Sequence, residues 1–388
     1  MTVVLPEAAT ARPVRRTDTA PLRVVPVPAA EHAAWAAAHG AVSFLQSPSW
    51  GRVKAGWRAE SLAWTGAEGR TVGAALVLYR DIPGLGRSFA YLPEGPVIDW
   101  DRPDLGRWLE PLVELLRSRG VFTLRLGPPL DLRVWTAGTV RAAVRTGDRV
   151  GLRDVLPDAV DPVGTRVVER LRGLGWEPAG RDTQPRFTFR LPLAGREPED
   201  LWAGLSPEWR RNIRRAQASG VTVTEGAAED VEAFYALVAQ TQLRGGFDLG
   251  RGLAYYQRQF AELNAELPGR IRLFLAQYRG ELLAAHTLVT AGRRAWYLTG
   301  GSASHERQVR PSNALQWSMI RAAHRLGAET YDLRGVQPSL DRAGPDYGLL
   351  RWKLGTGGRV VEGVGEWELA LNRPLHLAFR RYLARRKG

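Results

Sequence analysis

The sequence repeats one pattern of strands, turns and a helix in its two halves. In the first half, GRTVGAALVLYR is followed by YLPEGPV, an apolar helical segment and VFTLRLG. In the second half, GELLAAHTLVTA is followed by YLTGGSA, NALQWSMIRAAHRLG and AETYDLRG. Four landmarks keep a separation of 206 to 211 residues: Gly69 and Gly280, Tyr91 and Tyr297, Gly120 and Gly327, Gly127 and Gly335. This near-constant spacing predicts two copies of one α/β unit.

The spacing of apolar residues predicts strand, hairpin, strand, strand, helix and strand within each copy. Gly120 and Gly327 are predicted to end the two helices, and Asn313 is the predicted N-cap of the second. Apolar side chains recur at steps of three or four residues in both helices: Leu105, Trp108, Leu109, Leu112, Leu115 and Leu116, then Leu315, Met319, Ala322 and Ala323.

A chain of 388 residues is too long for one ordinary hydrophobic core, which agrees with two domains. We expect a flexible tail over residues 1–28, because this segment is rich in Pro, Ala and Arg and lacks the pattern of a secretion signal. The first domain is expected over residues 29–192, completed by residues 360–388, and the second over residues 193–359. No stretch approaches 18 uninterrupted apolar residues, so no membrane span is expected.

Composition excludes several kinds of site. Without cysteine the chain has no disulfide, no thiolate nucleophile and no cysteine-ligated metal. Its six histidines are scattered, so neither a metal nor another cofactor is expected. The net charge of +14 favours a polyanionic partner, although an arginine-rich proteome would produce the same excess. Two basic clusters suit phosphate contacts, with solvated faces as the alternative: Arg210, Arg211, Arg214 and Arg215 on one side of a predicted helix, and the C-terminal RRYLARRKG.

Several segments between about Phe44 and Asn372 form a recognisable series: FLQSPSWGRVKAGW, SFAYLPEGPVIDW, RRNIRRAQASGVTV, FYALVAQTQLRGGF, YLTGGSA and GLLRWKLGTGG. Taken together and in this order, they resemble the Fem-type (FemABX) aminoacyltransferases that build peptidoglycan cross-bridges. The resemblance implies an α/β (α+β) fold of two tandem GNAT-like domains, related to the acyl-CoA N-acyltransferases. Residues 214–231 are too few for the coiled-coil arm of some members, so the compact FemX-like form is implied.

The resemblance also implies the reaction and its partners. An amino acid of the Gly, Ala or Ser class would pass from aminoacyl-tRNA to the side-chain amine of the diamino acid in a peptidoglycan stem peptide. The acceptor would be the soluble UDP-MurNAc-pentapeptide or lipid II. We expect a cytoplasmic monomer without stable membrane insertion, and association with the inner face of the membrane stays open.

Two residues are expected to serve catalysis. By the resemblance, Lys353 in LLRWKLGTGG matches a lysine near the transferred acyl group, where a cation can stabilise developing negative charge. It is one of three lysines in a chain that otherwise uses arginine, and a solvated lysine is the alternative. Asp332 in YDLRG is expected to orient neighbouring donors or to accept a proton. An ion pair with Arg334 or Arg351 is the alternative for this carboxylate.

Four further residues are expected to bind the acceptor. Lys54 matches a family lysine near the phosphate region of the acceptor, and Arg244 in TQLRGGF can approach a diphosphate bidentately. Tyr256 and Tyr297 resemble acceptor-side tyrosines, with burial in the core as the rival interpretation. The arginines of residues 210–215 and the C-terminal cluster are the candidates for contacts with the tRNA backbone.

One position departs from the family pattern. Many relatives carry Asp-Pro at the end of the last strand of the first copy, where this chain has Gly127 and Pro128, with Asp131 three residues further on. The departure argues against a general base at this position. It favours loss of the proton from the attacking amine to solvent or to the substrate itself.

Two other functions agree with part of the sequence. A GNAT-type N-acetyltransferase that uses acetyl-CoA would share the fold. However, RQVRPSNALQ before the second helix lacks the glycine pair of a pyrophosphate-binding loop, and Pro311 removes a donor. A non-catalytic protein that binds RNA or a membrane would explain the charge, but it would explain neither the duplication nor Lys353.

Overall fold

The computed structural model describes residues 21–40, 42–147 and 151–385. These residues divide into two compact units. Unit 1 contains residues up to Trp135, residues 157–186 and residues from Val361 onward, and unit 2 contains residues 136–156 and 187–360.

Both units contain β-strands. In chain order they are β1 (Arg23–Pro26), β2 (Arg58–Thr65), β3 (Thr71–Ile82), β4 (Arg87–Leu92), β5 (Val121–Leu126), β6 (Asp131–Thr136), β7 (Ala159–Val160), β8 (Glu177–Pro178), β9 (Phe187–Pro192), β10 (Thr222–Gly226), β11 (Ile271–Tyr278), β12 (Glu281–Ala291), β13 (Arg294–Ser302), β14 (Thr330–Gly335), β15 (Arg359–Gly363) and β16 (Trp367–Ala370).

Helices separate these strands. In chain order they are α1 (Ala29–Ala38), α2 (Pro48–Val53), α3 (Leu105–Ser118), α4 (Ala137–Thr146), α5 (Pro162–Gly173), α6 (Pro198–Gly204), α7 (Pro207–Ala218), α8 (Val231–Gly245), α9 (Leu253–Glu266), α10 (Pro311–Arg325), α11 (Tyr347–Leu354) and α12 (Arg373–Arg385).

Unit 1 is built on a seven-stranded sheet in the order β1-β2-β3-β4-β5-β16-β8. Strands β1 to β4 pair antiparallel, whereas β4 and β5 pair parallel from residue 88 to 92 and from 121 to 126. Helix α3 lies between β4 and β5 in the sequence, as a parallel connection requires. On its other side β5 pairs antiparallel with β16. All six residues of β5 are buried, as predicted for a central strand.

The helix that connects the parallel strands buries its predicted apolar face in each unit. Helix α3 buries Leu105, Trp108, Leu109, Leu112 and Leu116, and α10 buries Leu315, Met319, Ala322 and Ala323. Gly120 and Gly327 follow these helices with φ values of 77° and 75°. The predicted N-cap Asn313 is wrong, because α10 begins at Pro311 after the N-cap Arg310. Proline suits this first position because the N–H that it lacks would have no partner within the helix.

The predicted N-terminal tail is wrong for part of its length. Residues 1–20 lie outside the described residues, but residues 23–26 form β1, which pairs antiparallel with β2. Val24 is buried in the core of unit 1, and Val25 is exposed. This alternation gives the strand one apolar face, which the high Pro and Ala content of the segment obscured.

Unit 2 repeats the same arrangement with strands in the order β10-β11-β12-β13-β14-β9. Strands β10 to β13 pair antiparallel, and β13 and β14 pair parallel across α10. The parallel pairing covers only residues 294–296 with residues 330–332. Strand β13 nevertheless continues to Ser302 and β14 to Gly335. The two strands therefore stop pairing partway along their length.

The division into units differs from the domain limits expected from the sequence in two segments. Strand β9 lies in unit 2 because it pairs antiparallel with β14. Residues 136–156 also lie in unit 2. There, the Ala137 N–H donates to the Gly358 carbonyl at 3.2 Å, and the Leu152 N–H donates to the Pro338 carbonyl at 2.8 Å. Both segments were expected in the first domain because they lie within residues 29–192.

Three kinds of structure are absent from the described residues: a coiled-coil arm, a membrane-spanning helix and a cluster of metal ligands. The longest helices, α8 and α10, have 15 residues each, so none of the described segments forms a coiled-coil arm. None of the described helices combines the length and the apolar character needed to cross a bilayer. Residues 21–40, 42–147 and 151–385 also contain no group of three or more His, Asp or Glu side chains placed to hold a metal ion.

Candidate active site

Lys353 lies in the last turn of α11, and its side chain is only 3% exposed. Its Nζ donates hydrogen bonds to the Gly335 carbonyl oxygen at 2.6 Å and to the Arg334 carbonyl oxygen at 3.4 Å. Burial lowers the pKa of the Lys353 ammonium to about 7, although the negative charge of Asp332 acts in the opposite direction. A solvated lysine is therefore excluded. Near neutral pH the side chain is present in both protonation states.

The carbonyl groups that hold Lys353 belong to a bulge at the end of β14. Asp332 pairs with Arg190 of β9 and Gly335 pairs with Thr188, so β14 has one more residue than its partner between these pairs. Arg334 has a φ of 63°, a left-handed conformation that few residues other than glycine adopt. The bulge turns two successive carbonyl groups towards one ammonium.

Asp332 stabilises this bulge. Its side chain is 1% exposed, and its Oδ1 accepts the backbone N–H of Arg334 at 2.7 Å. Its Oδ2 lies 3.4 Å from the guanidinium groups of both Arg190 and Arg294. Of the two arginines considered as alternative ion-pair partners of Asp332, Arg351 pairs with Glu208 at 3.0 Å instead. The carboxylate fits the predicted role of orienting its neighbours.

Tyr297 lies on β13 just beyond the last residue that pairs with β14. Its side chain is half-buried, and its ring lies 4.8 Å from the His286 ring and 6.4 Å from the Trp352 ring. A Cβ atom at Gly300 would lie 2.3 Å from His286 Cδ2 and 2.5 Å from the Tyr297 hydroxyl. Any larger residue at position 300 would clash with both side chains, so their close packing requires glycine there. Burial raises the pKa of Tyr297 above its usual value, so its hydroxyl is a donor at neutral pH.

A buried polar network lies behind Tyr297, and the sequence analysis did not predict it. Gln316 of α10 is fully buried between His286 of β12 and Tyr331 of β14. Its Oε1 lies 3.2 Å from His286 Nδ1, and its Nε2 donates to the Tyr331 hydroxyl. Burial lowers the pKa of His286 to about 4, so the ring is neutral and donates its Nδ1 proton to the amide. The only sequence signal was one His and one Gln within apolar segments.

Arg244 lies in the last turn of α8, beside the end of β13. Its guanidinium donates to the Ser302 carbonyl at 3.0 Å, the Ser302 hydroxyl at 3.0 Å and the Ser304 hydroxyl at 3.1 Å. Burial and the nearby charge of Arg307 lower the pKa of Arg244. Within the part of the chain that the structure describes, no carboxylate pairs with Arg244. A positive charge held by neutral groups is suited to bind an anion.

Tyr256, by contrast, belongs to the core of unit 2. It is 2% exposed, and its ring packs against Phe234 at 5.4 Å, Tyr235 at 5.9 Å and Tyr255 at 5.4 Å. Burial raises its pKa to about 12. The structure therefore favours the rival interpretation of Tyr256 as a packing residue, because aromatic neighbours surround its ring.

Lys54 lies in unit 1 at the C-terminal end of α2. It is half-buried, and its Nζ lies 5.0 Å from the centre of the Trp50 ring. The other residues predicted for catalysis or acceptor binding, Lys353, Asp332, Tyr256, Tyr297 and Arg244, belong to unit 2.

The four predicted tRNA-binding arginines lie on α7, whose apolar side packs against α10 in unit 2. Arg211, Arg214 and Arg215 are exposed and Arg210 is half-buried. Within the described residues none of the four pairs with a carboxylate. Helix α7 is joined to α11 close to Lys353. The indole N–H of Trp209 donates to the carbonyl of Trp352, the residue before Lys353, at 2.9 Å. The C-terminal cluster includes residues 386–388, which lie outside the described residues.

Unit 1 has a different arrangement at the position that matches Tyr297. Its counterpart Tyr91 is 5% exposed and donates to Glu366 Oε1 at 2.5 Å. The Glu366 carboxylate also accepts two backbone N–H groups, from residues 183 and 184, at 2.8 and 3.1 Å. A Cβ atom at Gly127 would lie 3.4 Å from Glu366 Cγ. The carboxylate beside Gly127 is thus engaged in hydrogen bonds within unit 1.

Comparison with known proteins identifies the family. The FemAB family matches residues 27–267, and the acetyltransferase (GNAT) domain matches residues 207–353. Lipid II:glycine glycyltransferases from the Staphylococcus aureus strains USA300 and NCTC 8325 are each 23% identical, over 89% of this chain and 92% of theirs. The crystal structure of FemX is 22% identical, with a TM-score of 0.76, over 92% of this chain and 99% of that chain.

These findings confirm the fold class expected from the duplication and from the family resemblance. The structural similarity to FemX and the GNAT match both agree with two tandem GNAT-like domains without a coiled-coil arm. The family match covers more than half of the chain. The chain belongs to the FemAB family and is an aminoacyltransferase.

Proposed function

We propose that the protein transfers an amino acid from aminoacyl-tRNA to the side-chain amine of the diamino acid in a peptidoglycan precursor. The observation that carries this proposal is the buried Lys353 ammonium beside the point where β13 and β14 stop pairing. The name of the S. aureus relatives, lipid II:glycine glycyltransferase, supports a peptidoglycan acceptor. It also favours glycine within the Gly, Ala or Ser class.

The reaction is the aminolysis of an ester. The acceptor nitrogen attacks the ester carbonyl carbon, a C–N bond forms, and the bond to the ribose oxygen of the tRNA breaks. The acceptor amine, with a pKa of about 10.4 when free, first loses a proton to solvent or to the substrate. The released ribose oxygen gains a proton. Because the ester is already activated, positioning and stabilisation of the oxyanion supply much of the acceleration.

Lys353 is the group that stabilises the oxyanion in this proposal. Its ammonium already donates to the two carbonyl groups of the bulge, so its position is fixed before the substrate binds. Asp332 and the bulge are positioning elements that keep this geometry. Tyr297 supplies a hydroxyl donor on the opposite strand, and the His286–Gln316–Tyr331 network fixes the position of its ring.

The substrates are recognised largely through their phosphates. Arg244 binds the diphosphate of the acceptor. For Lys54 of unit 1 the support for a role in acceptor binding is the family resemblance. The exposed arginines of α7 bind the tRNA backbone, which is consistent with their lack of carboxylate partners among the described residues. Such contacts are independent of nucleotide sequence and weaken as the salt concentration rises. No cofactor takes part. The enzyme acts as a monomer in the cytoplasm, at the inner face of the membrane when its acceptor is lipid-linked.

Reconstitution tests the proposal directly. Purified protein is incubated with aminoacyl-tRNAs charged with glycine, alanine or serine, and with either UDP-MurNAc-pentapeptide or lipid II. Mass spectrometry then weighs the acceptor. We expect one of these residues to be added to the diamino acid. No mass increase with any combination of donor and acceptor would show that the proposed function is wrong.

A GNAT-type N-acetyltransferase is the second candidate, since the GNAT domain match covers residues 207–353. The loop before α10 argues against it, because Pro311 occupies the first helical position and provides no N–H for a pyrophosphate. Calorimetric titration with acetyl-CoA distinguishes the two: we expect no binding. Saturable binding together with acetyl transfer would favour this alternative.

A further inference from the structure

Three large apolar side chains are exposed within seven residues at the end of α8. Leu243 is 86% exposed, Phe247 is 49% exposed and Leu249 is 43% exposed. We call residues 243–249 the apolar loop. Large apolar side chains that are exposed singly are common, but a concentration of this kind marks a surface that meets another apolar phase.

The apolar loop holds these side chains in a defined arrangement. Gln242 accepts the Phe247 N–H on its carbonyl oxygen at 3.2 Å and the Leu249 N–H on its Oε1 at 2.6 Å. Gly246 has a φ of 65°, which lets the chain turn at the end of α8. The Phe247 ring lies so close to Gly245 that a Cβ atom there would come within 2.5 Å of it. Phe247 and Leu249 are therefore presented to solvent by an ordered turn.

The charges around the apolar loop suit an anionic surface. Residues 241–259 contain three arginines and a single carboxylate, Asp248, whose Oδ1 accepts the Gly250 N–H at 2.7 Å. Arg244 lies within the loop, and Arg251 follows it with its guanidinium 4.8 Å from the centre of the Tyr255 ring. Apolar side chains combined with arginines are typical of surfaces that enter the interface of a membrane with anionic lipids.

We propose that the apolar loop inserts into the surface of the membrane around a lipid-linked acceptor. This inference rests on the proposed function, in which Arg244 binds the acceptor diphosphate. In a lipid-linked precursor the diphosphate joins the sugar to the hydrocarbon chain, so it lies at the boundary between membrane and water. The exposed apolar side chains closest to Arg244 in the sequence, Leu243 and Phe247, would then face the lipid.

Vesicle binding and acceptor choice test the inference together. The double variant Leu243→Ser/Phe247→Ser is compared with the matched control Leu267→Ser/Leu326→Ser, which replaces side chains that are 49% and 43% exposed elsewhere in unit 2. We expect the first variant to lose at least about tenfold in sedimentation with phosphatidylglycerol vesicles. It should also lose about tenfold in transfer to lipid II in such vesicles, and transfer to UDP-MurNAc-pentapeptide should be unchanged. The control should match the wild type in all three assays.

Three outcomes would overturn the inference. Equal vesicle binding by both variants would mean that the loop does not contact the membrane. An equal loss of transfer to the soluble and the lipid-linked acceptor would assign the loop to a part that both acceptors share. A loss with the soluble acceptor alone would assign the loop to the nucleotide part of UDP-MurNAc-pentapeptide, which lipid II does not have. If the wild type transfers to neither acceptor, the proposed function fails, while the sedimentation assay still tests the loop.

Discussion

The two copies of the repeated fold differ most where their parallel strands end. In unit 1, β4 and β5 stay paired to Leu92 and Leu126, and Tyr91 donates to the buried Glu366. In unit 2, β13 and β14 stop pairing after residues 296 and 332, and the matching Tyr297 has a ring that is half-buried beside His286. In the first copy the parallel strands stay paired to their ends, whereas in the second copy they stop pairing partway along their length.

The difference shows how one fold serves two purposes. In unit 1 the polar groups at the end of the parallel pair satisfy one another, which stabilises the unit. In unit 2 a bulge with a left-handed Arg334 and a buried lysine with a lowered pKa occupy the same place. Such features cost stability and concentrate at functional sites. Substitutions at matching positions should therefore affect activity in unit 2 and stability in unit 1.

The largest expected effect is on catalysis by Lys353→Ala. Removing the cation that stabilises the oxyanion should lower kcat by about 10²- to 10³-fold in the tRNA-dependent transfer assay. The matched control is Arg351→Ala on the same helix, where the side chain is 63% exposed and pairs with Glu208; it should stay near wild-type activity. A loss smaller than tenfold for Lys353→Ala, with the fold intact, would remove the functional contrast between the units.

The next expected effect is a gain in stability when the Lys353 side chain is replaced by an uncharged one. The pKa of Lys353 is about 7 in the folded protein and about 10.4 in an unfolded chain, so the unfolded state binds more protons between these values. The stability of the wild type therefore rises with pH from 7 towards 10, and burial of the charge is most costly below pH 7. Lys353→Met should stabilise the protein by about 2 kcal/mol at pH 6 and by less at pH 9.

Urea unfolding of both proteins at these two pH values measures this difference. Met is close to Lys in length, so packing changes little, and it removes the charge at this position. A variant that is less stable than the wild type at pH 6 would mean that the Lys353 ammonium contributes to stability, and the contrast between the units would need another cause.

A pair of buried glutamines gives a sharper comparison. Gln316→Leu in unit 2 leaves His286 and Tyr331 without their hydrogen bonds and should reduce kcat about tenfold, because the ring of Tyr297 loses its fixed neighbour. Gln46→Leu in unit 1 removes bonds to the Leu76 N–H at 3.0 Å and the Pro93 carbonyl at 2.8 Å. It should lower stability by about 1–3 kcal/mol with unchanged kcat.

Steady-state kinetics and urea unfolding of Gln316→Leu and Gln46→Leu test this difference, and Gln316→Glu serves as a conservative replacement. Gln316→Glu keeps an acceptor for His286, and it should recover part of the activity and add a second pH dependence to the one that Lys353 gives the wild type. If Gln46→Leu and Gln316→Leu reduce kcat equally, the network around Gln316 has a general structural role only.

The smallest expected effect comes from the matched tyrosines. Tyr297→Phe should lower kcat/KM about fivefold by removing a donor near the substrate, with little change in stability. Tyr91→Phe should leave kcat/KM unchanged but destabilise the protein by about 1–2 kcal/mol, because the buried Glu366 loses a partner. Steady-state kinetics and thermal unfolding of the two variants test this exchange of roles, and a reversed pattern would contradict it.

Much of the fold could be predicted because it depends on local spacing. The landmarks from Gly69 to Gly335 located the two copies, and apolar spacing gave the buried faces of α3 and α10. The rarity of lysine and the family resemblance together pointed to Lys353. These signals lie within short segments, and the hydrophobic effect acts on them regardless of what lies elsewhere in the chain.

The rest of the site depends on register between distant segments. His286, Gln316 and Tyr331 meet only because β12, α10 and β14 align, and nothing within one segment specifies that alignment. The arginine partners of Asp332 could not be predicted for the same reason, since Arg190 comes from a strand 142 residues earlier by sequence number. Tyr256 looked like a binding residue, yet its aromatic neighbours belong to α8 and α9 and enclose it.

The position of β16 has a consequence for synthesis on the ribosome. All six residues of β5 are buried, but its antiparallel neighbour is residues 367–370, which emerge only after all of unit 2. Unit 1 therefore cannot complete its sheet when its first 126 residues appear, and an unprotected strand edge persists through most of translation. The unit that begins first is the one that finishes last, and a nascent chain halted before residue 367 carries an open edge prone to aggregation.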